Sequence, residues 1–132
     1  MSDRAVLPAV EITSFGYLHA EPPSAHLTLD LRHHFRDPHV SPQLRYMTAH
    51  DEPVRRAVAA TAGISALVEA AARTVGAFAS GPSAGTVLVA TGCAGGRHRA
   101  PAVAMALADR LGQDGYSVLV RHRDIGAPVV RR

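Results

Sequence analysis

The chain has 132 residues, enough for one domain with one core and too few for two ordinary ones. An apolar fraction of 47% and a charged fraction of 19% are those of a globular protein, and they exclude a disordered, low-complexity or fibrous chain. The net charge is +3 and all 14 basic residues are arginine, which excludes lysine Schiff-base chemistry and favours anionic partners.

No apolar stretch reaches the 18 or so residues of a membrane span, and residues 1–10 hold no signal-peptide core, so a cytoplasmic domain with no membrane partner is expected. Cys93 is the single cysteine and cannot form an internal disulfide.

Residues 10–17 and 27–32 are the first predicted strands; Leu27, Leu29 and Leu31 alternate with Thr28 and Asp30, the period of a half-buried strand. Between them Glu21-Pro22-Pro23-Ser24 reads as a loop. Residues 33–52 show no apolar periodicity and carry Pro38, Pro42 and four of the eight histidines. A loop of nearly 20 residues in a compact domain points to function.

Pro53 suits the first turn of a short helix over residues 54–60, which Gly63 interrupts. A second helix is predicted over 64–78, with Ile64, Leu67, Val68, Ala71, Val75 and Phe78 forming one buried stripe. Residues 86–91 form a short apolar run between Gly85 and Gly92, as in a central parallel strand. A helix over 99–112, with Val103, Leu107 and Leu111 on one face, and a last strand over 116–123 complete the order. Strand, glycine-rich turn, helix, strand is a βαβ unit, whose ligand belongs at the carboxyl end of the strands.

The turn there is Gly92-Cys93-Ala94-Gly95-Gly96-Arg97-His98-Arg99. Backbone amides and the helix dipole favour an anion at such a position; the glycines let the backbone approach it, and Arg97, His98 and Arg99 add donors, Arg99 as a bidentate fork. Protonation of a histidine beside the anion would make affinity fall as pH rises through the imidazole range. A Walker A loop is excluded by the spacing and by Arg97-His98 in place of Lys-Ser/Thr.

Cys93 and Arg99 have the Cys-x5-Arg spacing of cysteine-dependent phosphatases, the alternative catalytic reading, with Asp37, Asp51 and Asp124 as candidate acids. Further basic clusters are Arg32-His33-His34, Arg45 with His39 and His50, and Arg121-His122-Arg123; the first and last fall at strand ends, where folding can gather them at one rim. No metal-ligand spacing and no cofactor motif is present. Trp is absent and aromatics total 5%, which leaves few rings for stacking on nucleic acid bases.

Ser14-Phe15-Gly16-Tyr17, Asp30-Leu31-Arg32, Asp37-Pro38-His39, Pro42-Gln43-Leu44-Arg45 with Met47-Thr48, Asp51 with Pro53-Val54, the 92–99 loop and Arg121-His122-Arg123 follow one another in a recognisable order. Over residues 14–123 the chain resembles the C-terminal domain family of the RNase adapter protein RapZ.

The resemblance implies a single-domain α/β three-layer sandwich with a mainly parallel central sheet, similar to a phosphofructokinase subdomain, spanning residues 1–132. It implies a non-catalytic regulatory module that senses an amino-sugar phosphate, glucosamine-6-phosphate, and binds small regulatory RNA. The implied ligand-binding residues are His39, Cys93, Gly95, Gly96, His98 and Arg99, with Arg32 and Arg45 at the rim, alongside Ala94 and Arg97 of the same loop.

Ala94 stands where the family has threonine and Ala100 where it has serine, and residues 126–132 hold only two charges where the family's tail is basic. The family's N-terminal P-loop kinase-like domain lies outside this chain, so nucleotide hydrolysis by full-length relatives does not carry over; nucleotide (ATP) binding as in those relatives is a further alternative. A face left open without that domain suits homo-oligomerisation.

Overall fold

The computed structural model describes residues 7–83 and 85–131. Alternating apolar residues make strand β1 (Val10–Gly16), strand β2 (Leu27–Asp30), strand β3 (Val87–Cys93) and strand β4 (Val118–His122). The helices are α1 (Glu52–Ala59), α2 (Ile64–Ala79) and α3 (Arg99–Gln113), and a 3-10 turn covers Pro38–Val40.

The strands form one all-parallel sheet in the order β2-β3-β1-β4. Val10, Ile12, Val87 and Val89 face Val103, Leu107 and Leu111 of α3 and Ile64, Val68 and Val75 of α2, all buried in one core. Each large aliphatic side chain removed from water there stabilises the fold by about 1.5–3 kcal/mol. The three helices flank the sheet, as in a three-layer α/β sandwich: α3 packs on β1, β3 and β4, and α1 and α2 pack on α3. The connection of residues 17–26 leads from the carboxyl end of β3, where Tyr17 N–H bonds Cys93 O, to its amino end, where His26 N–H bonds Leu88 O.

Gly63 takes a left-handed conformation (φ 94°), and α1 and α2 turn by 85° there. Among the described residues no single helix is long and apolar enough to cross a membrane.

The expected order of elements is the observed one, with two differences. First, β3 continues two residues past its expected end, because Gly92 still pairs with Phe15 and Asp30. Second, Phe78 is 46% exposed at the end of α2, against the ring of His26, and Ala72 takes its place in the buried stripe. β2 and β4 are the two edge strands. The basic clusters that follow them still meet at one rim, the carboxyl end of the parallel sheet, where Arg32 packs on the Tyr17 ring and Arg123 bonds Glu21 O of the same connection and Gly16 O just before it.

Candidate anion-binding site

The register places Gly16, Asp30 and Cys93 together at the carboxyl edge of the sheet. There the 92–99 loop curls over the end of β1 in direct backbone contact. A Cβ on Gly16 would lie 2.5 Å from the carbonyl carbon of Gly95. Gly96 has φ 76°, and a Cβ there would lie 2.8 Å from Gly16 N and 2.9 Å from Asp124 Cβ. Glycine is required at both positions by contact, and at Gly96 also by its left-handed backbone. The buried Asp124 carboxylate fixes the approach by accepting the Gly16 amide at 2.8 Å and Arg123 Nε at 3.0 Å.

Cys93 is 3% exposed, and its Sγ accepts the amides of Gly96 (3.3 Å) and Ala100 (3.4 Å). The amides of Gly95, Arg97, His98 and Arg99 have no hydrogen-bond partner among the described residues. They stand at and just before the first residue of α3, where the helix leaves its amides unpaired and its dipole is positive. The buried Nε atoms of Arg97 and Arg99 also lack an acceptor. The loop thus holds a surplus of donors over acceptors.

The three basic side chains of the loop are struts. Arg97 reaches Ala127 O at 3.1 Å, Met47 O at 3.3 Å and also Tyr46 O. His98 Nε2 lies 2.9 Å from Leu44 O and 3.0 Å from Met47 O; both are carbonyls, so Nε2 carries the proton. Arg99, 3% exposed, donates from Nη1 to the carbonyls of Leu31 (2.9 Å), Arg32 (3.1 Å) and Phe35 (3.3 Å), and its Nη2 pairs with Asp37 at 3.2 Å.

The aperiodic segment after β2 is therefore held from outside, over the end of the sheet. Arg55 adds to this from α1, bonding Ala49 O and His50 O. The terminal nitrogens expected to fork a phosphate are, in Arg99, already engaged by the protein's own acceptors.

The other expected residues divide between two clefts. His39 and Arg45 line one of about 870 Å3, together with Val40, Tyr46, Val129 and Arg131. Arg45 Nε donates to His39 O at 2.8 Å. Arg32 lines another of about 450 Å3 with Tyr17 and residues 18–22; its guanidinium packs 3.7 Å from the Tyr17 ring centre and bonds Asp30. That bond holds the Asp30 carboxyl below the usual carboxylate range. Burial, and then the Asp30 charge, push the Tyr17 phenol up.

Burial pushes the His98 imidazole below its ordinary value, against its two carbonyl bonds. It is neutral at physiological pH and adds no charge for an anion, which removes it from the expected pH dependence. His122 is lowered by burial and then by His50; its Nδ1 lies 2.7 Å from the buried Ser14 hydroxyl. The candidate acids are engaged too: Asp37 with Arg99, Asp124 with Gly16 and Arg123, and Asp51 with the Thr48 amide. Among the described residues no three His, Cys, Asp or Glu side chains group as a metal site.

Two aromatic residues at these clefts carry no sequence signal of their role. Tyr46, 72% exposed, directly follows Arg45 in the segment without periodicity, and Tyr17 lies under Arg32.

The model of the RapZ C-terminal domain matches residues 8–126, nearly the whole length described. The chain belongs to the RapZ C-terminal domain family. A nucleotide-binding protein of Thermobifida fusca (strain YX) is 38% identical over 118 residues, which cover 87% of this chain and 40% of that protein. One of Jannaschia sp. (strain CCS1) is 36% identical over 126 residues, 93% of this chain and 39% of that protein. One of Salinispora tropica is 36% identical over 120 residues, 89% and 39%. The RapZ C-terminal domain described here thus spans about 40% of the length of these relatives.

Proposed function

We propose that this RapZ C-terminal domain is a non-catalytic regulatory module that binds a phosphorylated metabolite of the amino-sugar phosphate class at its 92–99 loop. The observation that carries the reading is the donor surplus: four unpaired amides at the start of α3, beside two buried guanidinium nitrogens without acceptors. Buried donors are rarely left unpaired, and a phosphate supplies several acceptors with the charge that a helix N-terminus favours.

Against a phosphatase stand the burial of Cys93, the engaged Arg99 and the engaged carboxylates. Nucleotide phosphates, suggested by the relatives' names, would meet the same donors. RNA phosphates are a second reading, favoured by the guanidinium groups of Arg45 and Arg131 at the neighbouring cleft.

The test is thermal unfolding of the domain with glucosamine-6-phosphate, glucose-6-phosphate, ATP or inorganic phosphate. A ligand at 100 times its Kd adds about 2.7 kcal/mol, or roughly 8 °C for a domain of this size. Ala94→Asp, at a half-buried loop position, sets a carboxylate against the donors and is expected to abolish the shift while the domain stays folded. Selective stabilisation by the amino-sugar phosphate supports the reading. The absence of any shift overturns it.

A further inference from the structure

We propose that His50 and His122 form a site for a borderline divalent ion of the Zn2+ or Cu2+ class, which staples the segment before α1 to the end of β4. The site shares no residue with the 92–99 loop, so its test is independent of the anion reading.

The two imidazoles come from distant parts of the chain, His50 from the turn that leads into α1 and His122 from the last residue of β4. Folding sets their ring centres 5.8 Å apart, with the ring planes at 83°. Two imidazole nitrogens, each about 2.0–2.1 Å from one tetrahedral ion, put their ring centres about 5.2 Å apart. The pair therefore closes onto an ion by a movement of about half an ångström.

His122 is already held as a ligand is held. Its Nδ1 lies 2.7 Å from the hydroxyl of Ser14, a fully buried residue whose carbonyl accepts the Arg123 amide. A histidine that ligates through one nitrogen gives the N–H of the other to such an oxygen, which orients the ring and keeps the lone pair on Nε2. Nε2 has no protein partner and is not one of the buried unpartnered nitrogens, so it is open to solvent. Burial, and then His50, keep this imidazole below its ordinary value, so at neutral pH no proton occupies the lone pair. His50 is exposed and is fixed through its backbone: its N–H donates to Thr48 Oγ1 at 3.1 Å, and its carbonyl accepts Arg55 Nη1 at 2.7 Å. Both of its ring nitrogens are without a hydrogen bond among the described residues, so the ring turns to meet Nε2 of His122 across an ion.

The neighbouring cations are engaged elsewhere, Arg121 on Glu11, Arg123 on Asp124 and Arg55 on two carbonyls, and Asp51 sets a carboxylate next to His50 in the chain. Imidazole nitrogens suit Zn2+, Cu2+ and Ni2+, whereas Mg2+ and Ca2+ take oxygen ligands. With two protein ligands, the remaining coordination positions go to water.

The test titrates the untagged full chain with Zn2+ by calorimetry at pH 7.5 and 5.5, and counts ligating nitrogens by paramagnetic resonance of bound Cu2+. One ion per chain with two nitrogens is expected, and weaker binding at pH 5.5, where protons compete for the imidazoles. His50→Gln alters the exposed partner and leaves the Ser14 bond in place. Loss of a ligand costs no less than loss of its outer partner, so a fall in Zn2+ affinity of at least about 10-fold is expected. Ser14→Ala, which frees the His122 ring, is expected to weaken binding about 10-fold, and His33→Gln, at an exposed histidine outside the pair, to leave it unchanged. In thermal unfolding, Zn2+ raises the midpoint of the parent and not that of His50→Gln. No binding by the parent, a single ligating nitrogen, or equal affinity in the parent and His50→Gln overturns the site. A loss in His33→Gln as large as in His50→Gln assigns the metal to scattered surface histidines and overturns it as well.

Discussion

Replacing Arg99 tests whether the most buried cation of the loop serves the fold or a ligand. Arg99→Met preserves much of the side-chain volume but removes the Asp37 pair and three carbonyl bonds. Removing one partner of a buried pair costs about 3–5 kcal/mol. The Asp37 side chain keeps 22% of its surface in water, which sets the loss near the lower end, about 3 kcal/mol. Arg99→Lys retains the charge, but a single ammonium cannot span three carbonyls and a carboxylate, so about 1–2 kcal/mol is expected.

The assay is urea unfolding without ligand, where 3 kcal/mol moves the midpoint by roughly 1.5–2 M. Amide hydrogen exchange reports whether residues 31–47 lose protection first, as they must if Arg99 is their strut. A midpoint within about 0.3 M of the parent for Arg99→Met, combined with loss of anion-induced stabilisation, refutes the strut and returns the guanidinium to the ligand.

Two glycine substitutions separate contact with backbone from contact with side chains. Gly16→Ala drives a methyl into the Gly95 carbonyl carbon and the Gly96 amide, none of which can turn aside, and is expected to cost more than about 3 kcal/mol or prevent folding. Gly92→Ala meets the rings of Phe15 and Tyr17, at 2.4 and 2.6 Å, which can move partly, so a smaller loss by thermal unfolding is expected; the reverse order contradicts the contact argument.

For pH, His98 and His122 are lowered by burial in the fold, so the unfolded chain binds protons first. Their contribution is complete above the ordinary imidazole value near 6.5 and is lost as pH falls from there through the depressed folded values. The unfolding midpoint is expected to drop between pH 7.5 and 5.5, and the drop to shrink in a His98→Asn, His122→Asn double variant; an unchanged slope rules these residues out.

The parts of the fold legible in the sequence are those whose side chains repeat with a period. Val103, Leu107 and Leu111 on α3 and Ile64, Val68 and Val75 on α2 belong to the core that their spacing implies, and Leu27 and Leu29 on β2 pack half-buried against it. β3 was legible only to Thr91, because Gly92 reads as a turn when its neighbours Phe15 and Tyr17 are unknown. The segment after β2 has no apolar period because its own bonds are short-range turns and caps, such as Asp37 on the His39 amide and Arg45 on His39 O, and its attachment to the sheet comes from elsewhere. Arg97, His98, Arg99 and Arg55 supply that attachment, through backbone carbonyls that carry no sequence signature. Tyr46 was invisible for a related reason: exposure of a ring depends on where the clamped backbone leaves it.

The loop's chemistry was legible as donors, but donors do not announce their acceptors. Three consecutive basic residues at a helix start are equally suited to a phosphate and to the chain's own carbonyls, and the terminal nitrogens of Arg97 and Arg99 have taken the carbonyls. The backbone amides cannot do the same, because the glycine contacts with Gly16 fix the loop's curl and leave no carbonyl before them. The same glycines that pack the loop against β1 therefore create its surplus of donors. An anion seated there joins a unit already braced to residues 31–47, so it adds stability to a formed edge of the sheet and has no lid to order first.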